Sequence, residues 1–241
     1  MRQPPRGGLS PLLSRRGRLA AGIVAATALA IFAAGLPIVH GGYADLADRA
    51  IDPWLIARLG SHTTMLNLLD DLGERNPVAA ISVVLALVCL AARRVNAAVL
   101  ALFSAPVAAG LTEKVLKVVA DHLNDDATYP SGHATALFAL AALVVVLLAS
   151  PRRQPRSAAL RVVICLLAML IAVAVAVAKL ALNDHHFTDV VGGAAIGTAV
   201  TLTGALVLDL PVARRLLARF GPRTRRHRAT SIEIPRVEQL D

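Results

Sequence analysis

The chain has 241 residues, 56% of them hydrophobic and 17% charged, with a mean hydropathy of +0.63 and a formal net charge of +9. Such apolar content excludes an ordinary soluble domain and predicts an all-α, polytopic membrane protein. The positive charge does not signal nucleic acid: the arginines flank apolar runs and aromatic residues are only 3%, which suits anionic lipid head groups and topology.

Residues 1–18 contain Arg2, Arg6, Arg15, Arg16 and Arg18 and read as a basic cytoplasmic arm without fixed structure. The uncharged run Leu19–Val39 follows. At about 1.5 Å per residue it is long enough to cross a hydrocarbon core of roughly 30 Å. A basic leader and small residues near its end also fit a signal peptide, but the length favours an uncleaved helix. Next, Tyr43–Leu59 sets Leu46, Ala50, Trp54 and Ile56 among Asp45, Asp48, Arg49, Asp52 and Arg58. That pattern predicts an outer interfacial helix interrupted at Pro53, serving either as a cover for a lipid site or as a connector.

Further spans are predicted at Pro77–Ala92, Val95–Leu111, Ala134–Ala149, Val162–Leu182 and Val190–Leu208, making six transmembrane helices in a domain of residues 19–210. Pro77 belongs in the first turn of its helix. Cys89 and Cys165 both lie inside apolar runs, so no disulfide framework is expected. Residues 211–241 form a basic tail with Arg214, Arg215, Arg219, Arg223, Arg225, Arg226, Arg228 and Arg236. With these spans, 19 of the 25 lysines and arginines fall on one face together with both termini. The positive-inside rule places that face in the cytoplasm of a cell-membrane protein. Twelve of the 16 acidic residues fall on the opposite, outer face, in agreement.

The polar residues that solubility does not explain gather at the outer helix ends. Tyr129-Pro130-Ser131-Gly132-His133 opens the fourth span. Ser131 is placed to cap that helix, and Gly132 leaves room for an anion to approach the unpaired N–H groups of its first turn. Taken alone, the stretch is more often a plain helix start with a stray histidine. The third span runs out through Glu113, Lys114 and Lys117, the fifth ends near Lys179, and Asn183–Asp189 leads into the sixth. Ionisable residues beside a span are costly and point to function, although a lysine at a helix end also snorkels to the interface. His185 and Asp189 are four apart, a spacing that lets a carboxylate orient an imidazole. Alone, such a pair is more commonly a helix-start hydrogen bond than a catalytic dyad.

Together, two histidines, a carboxylate, lysines and a helix N-terminus are the parts needed for phosphoryl transfer through a phosphohistidine. No His/Cys or carboxylate cluster calls for a metal, and no cofactor is expected.

These residues resemble the type 2 phosphatidic acid phosphatase family, the membrane branch of the vanadium haloperoxidase superfamily, over roughly residues 40–208. The second family motif, Pro-Ser-Gly-His, stands as Pro130–His133. The third, Ser-Arg-x5-His-x3-Asp before an apolar pair and glycine, reads Ala178-Lys179-x5-His185-x3-Asp189-Val190-Val191-Gly192. The resemblance implies that His185 is the nucleophile, Asp189 its partner and His133 the general acid. The first motif, Lys-x6-Arg-Pro, is half present: Lys117 fits, but Asn124 and Asp125 stand at the Arg-Pro positions. Counted from Lys114, those positions hold Asp121 and His122. Two arginines of the expected phosphate clamp are therefore missing, and Lys179 keeps the charge without the bidentate fork. Phosphate binding is then expected from Lys117, Ser131, Gly132 and Lys179, with Lys114 and His122 as further candidates.

The expected function is metal-independent hydrolysis of a lipid phosphomonoester or diphosphate at the outer face. The alternative is a weak relative that binds phospholipid or polyprenyl phosphate without turnover. A transporter fits less well, because the charges gather at one face and not at the bilayer midplane. Arginine- and alanine-rich usage associates the chain with a high-GC bacterium.

Overall fold

A computed structural model describes residues 9–40, 46–121, 129–151 and 157–218, and every regular element among them is helical. In chain order these are α1 (Arg15–His40), α2 (Leu46–Leu59), α3 (Thr63–Asp71), α4 (Arg75–Ala91) and α5 (Val95–Leu111). A π turn (Thr112–Leu116) joins α5 to α6 (Lys117–Asp121), followed by α7 (Gly132–Ala149), α8 (Ala158–Ala181), α9 (Phe187–Leu208) and α10 (Pro211–Ala218).

Five stretches are long and apolar enough to cross a membrane: Arg15–Ile38, Val95–Val119, Gly132–Ala149, Ala158–Ala181 and Phe187–Leu208. The chain is a multi-pass membrane protein. The remaining expected span differs from a straight crossing. Helix α4 has 17 residues, about 26 Å at 1.5 Å each, which falls short of the hydrocarbon core by itself. It reaches the required length only with α3, from which it is bent by 46°. The bend falls at Leu72–Glu74, where Gly73 N–H bonds to the Asp70 carbonyl at 2.8 Å. A Cβ at Gly73 would come within 2.6 Å of the His133 ring, so a larger residue there would displace that ring.

The core is built from small residues. Ala97, Ala101, Ala105 and Ala108 of α5 and Ala139 of α7 are fully buried. In a bilayer, where tails are as apolar as side chains, close backbone approach supplies the packing. Helix α9 lies against both α7 and α1. Its Gly193 and Gly197 sit directly on the carbonyls of Ser131 and Thr135, leaving no room for a side chain. Polar groups inside this contact are paired: Thr201 Oγ1 donates to the Ala139 carbonyl (3.1 Å) and Thr135 Oγ1 to that of Ser131 (2.8 Å).

Two expectations about element limits change. Helix α1 starts at Arg15, ahead of Leu19, with Ser14 Oγ accepting from Gly17 N–H at 3.0 Å. The preceding residues are docked: the Asp209 carboxylate accepts from Leu12 N–H (2.6 Å) and Leu13 N–H (2.9 Å), and both leucine side chains are buried. Asn96 Nδ2 and Arg214 Nε donate to the Ser10 and Leu9 carbonyls, each at 2.8 Å. Helix α2 runs unbroken through Pro53. Proline forfeits one helical bond there, yet its φ is helical and α2 is held by α8 and α9. Tyr43 and Asp45 lie outside the described residues.

Candidate active site

The turn between α8 and α9 is shaped by a single residue in the left-handed region. Asn183 has φ 60°. Its N–H bonds to the Leu180 carbonyl (3.0 Å) and the Asp184 N–H to that of Lys179 (3.1 Å), the two bonds of a Schellman motif. Asn is among the few non-glycine residues that accept this conformation at low cost. The closure returns Asp184 to Lys179 and sends His185 toward the start of α9.

There, His185 Nδ1 stands 3.3 Å from Asp189 Oδ2, which also accepts from His186 N–H at 3.0 Å. Asp189 is 3% exposed, too enclosed for solvent to replace these partners. A carboxylate on Nδ1 favours the tautomer with hydrogen at Nδ1 and the lone pair on Nε2. The Asp189 carbonyl accepts from Ser131 N–H at 2.9 Å, so the starts of α9 and α7 are tied together.

Ser131 is fully buried and caps α7, its Oγ 3.5 Å from Ala134 N. Beneath the turn, Tyr129 stacks on Phe32 of α1 (centroids 5.3 Å apart) and donates its hydroxyl to the Phe32 carbonyl at 2.6 Å. Burial, with the Asp189 charge nearby, pushes the Tyr129 phenol well above its ordinary pKa. It stays a neutral donor. Gly192 of α9 packs against this ring.

His133, the second residue of α7, points toward the α3–α4 bend. Its Nε2 is 3.5 Å from Glu74 Oε1 and 3.7 Å from Asp70 Oδ1. Among the described residues, neither Nε2 nor Asp70 Oδ1 has a hydrogen-bond partner, though both atoms are enclosed. Lys179, 8% exposed, bonds to Asp70 Oδ2 (2.8 Å) and Asp184 Oδ2 (3.1 Å). Lys117 pairs with Glu113 at 2.9 Å.

Of these groups, His133, Glu74, Lys179, Lys117 and Glu113 border a cavity of about 860 Å³, as does His185. His133, His185, Lys179, Lys114, Lys117 and Arg75, with Asn76 and the carboxylates Glu74 and Glu113, form its polar lining, while Val78, Ala79, Pro106, Ala109 and Ala136 of α4, α5 and α7 supply apolar lining. Among the described residues, no group of three or more His, Cys, Asp or Glu is arranged to hold a metal ion.

A protein-family model described as the PAP2 superfamily matches residues 78–210, from the first turns of α4 to the end of α9. The chain belongs to the PAP2 superfamily. Membership brings phosphatase chemistry on phosphate esters as the activity class. Comparisons with curated proteins and with solved structures give no match.

Within this PAP2 protein, the residues singled out from sequence take different places. His133, His185, Lys114, Lys117, Lys179 and Gly132 all border the cavity. Asp189 stands behind His185, and Ser131 is buried in the cap. His122, Asn124 and Asp125 lie outside the described residues. Arg75, Asn76, Asp70 and Glu74, which the motifs did not indicate, come to the site from the α3–α4 bend. They lie ahead of the matched region, and only a helix break at Gly73 facing His133 could have pointed to them.

Proposed function

We propose that the protein hydrolyses the phosphate ester or diphosphate bond of an amphiphilic lipid, with His185 as nucleophile and His133 as general acid. The observation that carries this reading is the mixed lining of one cavity: two histidines and cations, with Glu74 and Glu113 beside them, together with apolar residues of α4, α5 and α7. A phosphate head and a hydrocarbon tail match those two linings.

In the first step His185 Nε2 attacks phosphorus, the bond to the leaving oxygen breaks, and His133 delivers a proton to that oxygen. Asp189 stabilises the imidazole as it becomes positive. In the second step water attacks the phosphohistidine, His133 takes its proton, and the P–N bond breaks to release inorganic phosphate. Negative charge on the equatorial oxygens is met by Arg75, Lys114 and Lys117 and by the first turn of α7. Arg75 offers the planar guanidinium that the third motif lacks at Lys179. An outer-face site with both termini in the cytoplasm is supported by the asymmetry of lysines and arginines along the sequence.

The test is release of inorganic phosphate by the purified protein in detergent with EDTA, against a panel of lipid phosphates and polyprenyl diphosphates. Expected is turnover on at least one lipid, lost by about 10³-fold or more in His185→Ala and by about 10²–10⁴-fold in His133→Ala. Full activity in either variant would overturn the mechanism. The second reading, binding without turnover, is favoured by Lys117 and Lys179 already being paired with carboxylates. Retained lipid binding with no phosphate release from any substrate would establish it.

A further inference from the structure

The backbone that carries Asp189 and follows His185 is the first turn of α9. Helix N-termini are normally capped by a side chain close in sequence. Here two of the N–H groups are taken by a remote helix. Phe187 N–H bonds to Asp52 Oδ1 (3.2 Å) and Thr188 N–H to Asp48 Oδ1 (2.7 Å), both carboxylates belonging to α2. Each carboxylate also takes a side chain: Asp52 Oδ2 lies 3.0 Å from His186 Nδ1, and Asp48 accepts from Thr188 Oγ1 at 2.7 and 2.8 Å.

Asp48 and Asp52 are 4% and 7% exposed. Burying two carboxylates is costly unless each is fully hydrogen-bonded, so an interfacial connector would not place both inward. Their spacing of four puts them on one face of α2, aimed at a single turn of α9. That turn is continuous with the Asp189 Oδ2 bonds to His186 N–H and to His185. The carboxylates also cover the positive end of α9.

We infer that α2 is a positioning element for the nucleophile: Asp48 and Asp52 hold the first turn of α9 and, through it, the His185–Asp189 pair in reactive geometry. The inference rests on the reading of His185 as nucleophile. Both aspartates act through α9 and touch no substrate, and both precede the residues matched by the family model.

The experiment uses the full chain in detergent, with dioctanoyl phosphatidic acid in mixed micelles as the probe. Asp48→Asn, Asp52→Asn and the milder Thr188→Val are compared with the unaltered chain by initial rates. Hydrogen exchange over residues 183–190 is followed in parallel. Misplacing a reacting group by about 1 Å costs on the order of 10²-fold. The aspartate variants are therefore expected to lose about 10- to 100-fold in kcat, and Thr188→Val about threefold. KM should stay within about twofold, because the groups assigned to phosphate are untouched. Exchange at Phe187 and Thr188 should rise while that of residues 195–205 stays constant. An unchanged kcat, a KM that rises as far as kcat falls, or unchanged exchange overturns the inference. If the aspartate variants do not fold, Thr188→Val decides by the same criteria. If the probe is not turned over, the exchange data decide whether α2 holds the turn. Full activity in His185→Ala sinks the phosphohistidine reading and leaves that exchange result intact, so the two failures are distinguishable.

Discussion

Two charged residues at the cavity illustrate how position and partners separate roles that composition makes look alike. Lys179 occupies the place of the third-motif arginine, yet it is locked between Asp70 and Asp184. Arg75, with no motif to mark it, is exposed at the cavity rim. Arg75→Ala is accordingly expected to lower kcat/KM by about 10- to 100-fold, the usual worth of a hydrogen bond from a charged donor, with the folded protein otherwise unaffected. Lys179→Met is expected to cost about 1–3 kcal/mol of stability, read as a lower thermal midpoint, because it leaves the half-buried Asp70, whose Oδ1 is enclosed, without its cation. His186 gives a pH signature. Its hydrogen bond to Asp52 outweighs burial and raises its pKa above the ordinary 6.5. A raised value in the folded state means that the stabilisation is complete below the unfolded pKa and disappears as pH climbs through the folded one. The thermal midpoint should therefore fall across that window above 6.5, and Asp52→Asn should flatten the fall.

The elements that matter most are the breaks between helices. The α8–α9 turn depends on Asn183 at φ 60°. Asn183→Val, whose branched side chain is poorly tolerated there, should cost about 1–2 kcal/mol, whereas Asn183→Gly should be tolerated within a few tenths. Thermal unfolding of both variants checks this. The α7–α9 contact depends on Gly193 and Gly197. Gly197→Leu would drive a side chain into the Thr135 carbonyl, and it is expected to abolish folding or separate the starts of both helices from their shared Ser131–Asp189 bond. Loss of a monodisperse peak in detergent is the readout. Periodicity made the long helices legible, but it showed the α3–α4 bend only as a short span and read Pro53 as an interruption. Whether a proline breaks a helix or a short apolar run crosses a bilayer depends on what packs beside it, and neighbours are not written in a local pattern.

Across the whole molecule, polar ties join distant parts of the chain at both ends of the bundle. At one end, α2 and the α3–α4 bend meet the starts of α7 and α9. At the other, Asp209 and Asn96 hold the segment Leu9–Ser14 that leads into α1. Helix α1 is also the platform for Tyr129. Removal of residues 1–40 is therefore expected to expose the α9 face and the Tyr129 ring and to yield an aggregated product, checked by size exclusion in detergent. Orientation has a separate check. In intact cells, a cysteine at Ser61, an exposed position between α2 and α3, should react with an impermeant thiol reagent from outside; protection there would invert the proposed topology.

The sequence alone determined that this is a helical multi-pass membrane protein of the PAP2 type, because span length, apolar content and two motif segments are local properties. It also brought His133, His185 and Asp189 forward as a set, since a histidine four residues before an aspartate and a Pro-Ser-Gly-His segment keep their meaning wherever the helices lie. Only the tertiary structure decided that Lys179 faces carboxylates, that Arg75 borders the cavity, and that Asp48 and Asp52 grip the turn after His185. Those assignments are long-range pairings. Asp52 and Phe187 stand 135 residues apart, and a charge on a helix face does not reveal whether it will meet solvent, lipid or an opposite charge until the helices pack.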